Sequence, residues 1–125
     1  MYSRDLELIR KLLLCVESPG KVDLSQYGKD EICYQYELLI GAGYVVGSVV
    51  WNRNEAGERL TCKSMVIAQL TRTGQELLNI ARDPLVWDTA MKHLGERAAT
   101  ISFADLILYL EAIANSDGVH FSSVD

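Results

Sequence analysis

The spacing of apolar positions changes character four times along the chain, and each change marks an element. Leu6, Ile9, Leu13 and Val16 recur at helical intervals, with Leu8 and Leu12 widening the same face. Ser3 is the expected cap of this helix, Asp5 and Glu7 sit in its first turn, and Ser18-Pro19-Gly20 ends it. A short extended piece, Lys21 to Leu24, leads to a second helix over Lys29 to Ala42, with Ile32, Tyr36, Leu39 and Ile40 inward and Gly43 as its stop. The run from Tyr44 to Trp51 is β-branched and aromatic and predicts a strand. Asn52 to Gly57 is turn-forming and Met65 to Leu70 returns, giving a long hairpin with a projecting tip. Thr71 to Arg82 is helical again. Asp83-Pro84 caps and opens a helix to about Leu94. Ser102 and Asp105 form a capping box ahead of Phe103, Leu106, Leu110 and Ile113. That last helix should end near Asn115, with 116–125 as a flexible tail.

The pattern predicts an α+β fold built as a single domain over 1–115, with its core in about 3–82 and a helical extension over 83–115. A chain of 125 residues, 49% of them hydrophobic, is long enough for one core of its own and needs no staple. No apolar run reaches the roughly 20 residues that span a bilayer, and no secretory signal opens the chain, so the expected setting is the cytoplasm, without membrane contact. Cys15, Cys33 and Cys62 are odd in number and far apart, which reads as idle thiols rather than a disulfide framework. His93 and His120 have no partner ligand at metal-binding spacing, so neither a metal nor a cofactor is expected. The net charge of −5 is unevenly placed: residues 1–82 hold 10 basic and 10 acidic side chains, and residues 83–125 hold 2 and 7. Such an acidic appendage disfavours indiscriminate nucleic-acid binding.

No phosphate loop, nucleophile elbow or His-Glu-x-x-His helix is present, so an enzyme is not expected. Helix, short strand, helix, glycine stop and hairpin, followed by Leu70-Thr71-x-x-Gly74-x-x-Leu77-Leu78, is the order of a winged helix-turn-helix domain. Further residues carry a closer likeness: Arg4-Asp5 and Ile9-Arg10, Leu38-Leu39-Ile40-Gly41-Ala42-Gly43, Arg82-Asp83, Trp87 and Ser102-Phe103. On these the chain resembles a phage and prophage family catalogued as domain of unknown function twenty-five thirteen. The resemblance implies a mobile-element origin and a winged-helix-like core with two additional C-terminal helices. It brings no catalytic residues.

The segment between Lys21 and Lys29 is too short for the bracing helix of a DNA-reading winged helix. The exposed positions of the next helix offer Lys29, Tyr34 and Gln35 beside Asp30, Glu31 and Glu37, a poor set for phosphates. The hairpin gathers Trp51, Arg53, Arg59 and Lys63, residue types enriched at protein hot spots and on phosphate backbones alike. The favoured expectation is therefore a protein-interaction module that modulates a host or defence factor, contacting it through Tyr34, Trp51, Arg53 and Arg59. The alternative is a transcription regulator that docks Arg53, Arg59 and Lys63 and the helix carrying Lys29, Tyr34 and Gln35 on DNA. Phe103, Leu106 and Leu110 either close the core or form a homodimer face. Arg82 is expected to pair with an acid such as Asp5 or Glu7, and Trp87 to fill a crevice.

Overall fold

In the computed structural model, the backbone is described for residues 2–124 and the side chains for residues 2–116. Five α-helices and one antiparallel hairpin follow the order α1 (Leu6–Glu17), α2 (Lys29–Gly41), β1 (Val45–Arg53), β2 (Arg59–Leu70), α3 (Arg72–Ala81), α4 (Pro84–Leu94) and α5 (Phe103–Val124). A 3₁₀ turn over Gly95–Ala99 separates α4 from α5. The expected α+β class is thus observed. The chain forms two compact units, Met1–Gln75 and Glu76–Asp125, with the division inside α3.

In the first unit α1 and α2 pack together, α2 lies against both strands, and α1 lies against β2. Leu6, Leu8, Ile9, Leu12 and Leu13 bury the expected face of α1. Its cap is Asp5 rather than Ser3: the Asp5 carboxylate accepts the Leu8 amide at 3.2 Å. Ser3 is committed elsewhere, because its carbonyl accepts Nε2 of Gln35 at 2.7 Å while the Asp5 amide donates to Gln35 Oε1 at 3.0 Å. Gln35 is fully buried by this clamp. Residues 21–28 form turns instead of a strand, because the Asp23 side chain accepts the Ser25 amide and the Leu24 carbonyl accepts the Tyr27 amide. Such local bonds compete with strand pairing, and the sheet has two strands.

Helix α2 buries Cys33, Gln35, Tyr36 and Leu39, while Ile32 and Ile40 are half-buried at its edges. It stops as expected at Gly43, whose φ of +85° suits a residue without a Cβ. The Leu38, Leu39 and Ile40 carbonyls accept the amides of Ala42, Tyr44 and Gly43. Burial pushes the Tyr36 phenol well above its ordinary pKa, helped by the charge and hydrogen bond of Cys15 beside it. The fold therefore stabilises neutral Tyr36. Its contribution is complete below about pH 10, where an unfolded tyrosine starts to ionise, and is lost as pH climbs beyond that. Tyr36→Phe is expected to flatten the alkaline limb of a plot of stability against pH, measured by urea unfolding.

The hairpin is longer than its apolar residues announce. β2 starts at Arg59, six residues before Met65, and pairs Trp51 with Cys62 and Arg53 with Arg59. Residues 59–64 belong to it because their backbone completes the ladder begun by β1. Cys33 and Cys62, read from the sequence as idle thiols, form a disulfide between α2 and β2; Cys15 is free. Their separation of 29 residues conceals the proximity that helix and hairpin create. At the hairpin base Thr71 accepts the Gly74 amide through Oγ1, donates to the Gly43 carbonyl at 2.6 Å, and gives its own amide to the Tyr44 carbonyl.

In the second unit Leu77, Leu78 and Ala81 of α3, Val86, Trp87, Ala90 and Leu94 of α4, and Leu106 and Leu110 of α5 are buried. Helices α4 and α5 pack on each other. Asp83 caps α4 as expected, accepting the amides of Leu85 and Val86, and Ser102 accepts the Asp105 amide to cap α5. Arg82 donates to Asn79 at 3.2 Å, in the turn before its own. The segment 116–125, expected as a tail, has its side chains beyond residue 116 outside the described residues, and the α5 backbone is helical to Val124.

Candidate functional site: an aromatic cleft between α2 and the hairpin

Tyr2, Tyr34, Trp51, Arg59 and Leu60 line a cleft of about 540 Å³ in the first unit, within the range of natural ligand pockets. One wall comes from α2. Tyr34 is half-buried and meets Tyr2, their ring centroids 6.1 Å apart and their planes tilted by 50°. The Gln35 clamp fixes the backbone that carries Tyr2, since it holds Ser3 and Asp5 in place. The other wall is the hairpin. Trp51 pairs with the buried Cys62, so both lie on the sheet face toward α2.

Glu37 joins the walls. One of its oxygens accepts the Trp51 indole N–H at 3.1 Å and the other forms an ion pair with Arg59. The Arg59 guanidinium lies 5.3 Å from the Trp51 ring centroid, within cation–π range. With side-chain exposures of 45% and 33%, the ion pair contributes little to stability. Its effect is orientational: it sets a charge-balanced Trp–Arg–Glu cluster beside the 55% exposed Leu60. A second tie lies below, where the Cys62 amide donates to Asp30 Oδ1 at 2.8 Å.

The residues singled out from the sequence divide accordingly. Tyr34, Trp51 and Arg59 meet in the cleft. Lys29 is exposed at the start of α2. Gln35 is not a surface contact: it is buried because two backbone groups of the N-terminal segment occupy its amide. Arg53 stands at the tip and donates to the Gly57 carbonyl at 2.7 Å, bracing a turn closed by Asn54 and Glu58. Lys63 is exposed and falls at the register shift between the Val50–Ser64 and Trp51–Cys62 pairs, outside the cleft lining. Leu106 and Leu110 are 1% and 0% exposed and Phe103 is half-buried, so this face closes the core of its own unit and is not a free dimer surface.

Sequence reasoning missed Tyr2, Leu60 and Glu37. Only Glu37 left a signal: it follows Tyr34 by three positions and so shares its side of the helix. Among the described residues, no group of three or more His, Cys, Asp and Glu could hold a metal ion. No described helix is long and apolar enough to cross a membrane.

The family model described as hypothetical protein (DUF2513) matches residues 3–100, and the chain belongs to that family. No curated protein and no solved structure matches the chain.

Proposed function

We propose that this member of the family is a non-catalytic binding protein of winged-helix-like build, encoded by a phage or mobile element, that modulates a host or defence protein in the cytoplasm. The observation that carries the reading is the cleft itself. Trp, Tyr and Arg are the residues that dominate binding energy when they stand preorganised around a pocket, and here Trp51, Tyr34, Tyr2 and Arg59 do so. The cluster is electrically balanced because Glu37 neutralises Arg59, so the cleft suits an apolar anchor side chain of a partner protein. The winged-helix element of the reading draws on the helix order and the hairpin as wing.

The alternative, docking on DNA, draws less support. Of the basic residues it would use, Arg59 is paired with Glu37 and Arg53 is turned to its own hairpin tip. Gln35 is buried, which leaves Lys29 and Lys63.

Trp51→Ala is expected to weaken capture of the partner about 30-fold, the equivalent of about 2 kcal/mol for a central anchor. Lys29→Ala with Lys63→Ala should change it less than threefold. Competitive pull-down with the purified variants measures both. Tight binding to DNA fragments that weakens steeply with salt and survives Trp51→Ala would replace this reading by the DNA-binding one.

A further inference from the structure

We infer that Cys33 and Cys62 are a reversible redox site, exchanging with low-molecular-weight thiols and disulfides, and that its oxidation state sets the geometry of the aromatic cleft. The regulatory role rests on the interaction reading above; the chemistry of the pair does not.

The cleft has one wall on α2 and one on the hairpin, and the disulfide joins the two between adjacent cleft residues. Cys33 precedes Tyr34, and Cys62 is the cross-strand partner of Trp51. The remaining ties at this end of the hairpin are few and polar: Asp30 to the Cys62 amide, and Glu37 to Trp51 and Arg59. Residues 52–61 are all exposed, so little apolar burial holds the distal hairpin to the helix. A two-stranded hairpin is at best marginally stable by itself. Cleaving the bond therefore frees the wall that carries Trp51, Arg59 and Leu60.

The same features give a reagent access. Cys33 and Cys62 are 0% and 5% exposed, so direct attack is blocked. Opening of the distal hairpin breaks those polar ties, bares the half-buried Trp51 and uncovers the Cys62 sulfur, a local event that leaves the rest of the unit folded. In the reducing direction a thiolate RS⁻ attacks one sulfur to give a mixed disulfide and releases the other cysteine as thiolate. A second RSH then resolves it. In balance, the protein disulfide and two RSH give two protein thiols and RSSR; two electrons and two protons pass to the protein. Oxidation by RSSR is the reverse.

Glutathione serves as the probe. The native protein is equilibrated with oxidised or reduced glutathione, quenched in acid, denatured, alkylated and weighed. After oxidation Cys15 alone is expected to carry the alkyl group or, by exchange with the reagent, one glutathione, and after reduction three cysteines are alkylated. Reduction should leave the far-UV circular dichroism intact and shift the indole N–H resonance of Trp51, assigned by its loss in Trp51→Phe. The double variant Cys33→Ser, Cys62→Ser should show the reduced resonance in either buffer. Three alkylated cysteines after oxidation would overturn the pair. Reduction that occurs only with loss of the circular dichroism would make it a permanent brace, and an unmoved Trp51 resonance would remove its hold on the cleft. None of these readouts involves a partner. Failure of the interaction reading would show instead as Trp51→Ala capturing its partner like the wild type.

Discussion

Alanine at position 74 is expected to destabilise the first unit by more than about 3 kcal/mol, a large share of the 5–15 kcal/mol typical of a domain. A Cβ on Gly74 would stand 1.9 Å from the Tyr44 carbonyl oxygen and 2.9 Å from its carbon. Neither atom belongs to a flexible side chain that could turn away. The Tyr44 carbonyl also accepts the Thr71 amide, so moving it breaks a bond that fastens the hairpin base. Thr71 Oγ1 would in turn lose the Gly74 amide or the Gly43 carbonyl, because the same shift separates them. Urea unfolding followed by circular dichroism should show the midpoint fall by about 1–2 M. A fall equivalent to less than 1 kcal/mol would mean that the first turn of α3 is free to slide.

The second large effect belongs to Gln35. Leucine has nearly the same volume and fits a buried helical position, yet Gln35→Leu should cost about 2–3 kcal/mol. The reason is the backbone it abandons: the Ser3 carbonyl and the Asp5 amide each lose their partner, at about 1–3 kcal/mol for a buried group left unsatisfied. The consequence reaches the cleft. Residues 2–5 detach from α2, and Tyr2 leaves Tyr34. Gln35→Leu should thus raise the hydrogen-exchange rate of the Asp5 amide and weaken partner capture although Gln35 touches no partner. Unchanged exchange at Asp5 would show that water replaces the glutamine.

What could be read from the sequence was whatever a local rule controls. Gly43, Asp83-Pro84 and Ser102 announce their elements because caps and stops are set within four residues, and the observed boundaries agree. The inward face of α1 follows from its period. What stayed hidden depends on partners distant in sequence. Gln35 reads as a solvated helix residue until the N-terminal segment is seen across it, and Glu37 until the hairpin brings Trp51 and Arg59 over it. Cys33 and Cys62 lie on different element types, with no spacing rule to connect them. In residues 59–64 only Leu60 and Cys62 alternate with polar neighbours, too short a pattern to announce a strand, and all of them but Cys62 are exposed. Trp51 and Arg59 were nonetheless found, since their residue types alone mark them as candidates in an otherwise polar turn.

The hairpin also bears on pairing between copies of the chain. With only two strands in the sheet, β1 and β2 each have an edge without a strand partner, and Val46, Val50 and Val66 are 45%, 47% and 64% exposed. Long flat apolar edges invite strands of neighbouring molecules to add on and grow into aggregates. Here the ladder shifts register three times, between Val46 and Gly47, Val50 and Trp51, and Trp51 and Arg53, and exposed Lys63 places a charge midway along β2. A straight incoming strand meets kinks along the ladder and, at Lys63, an exposed ammonium that it would have to bury. The irregularities that bring Trp51 and Arg59 to the cleft thus also guard the sheet against self-templating.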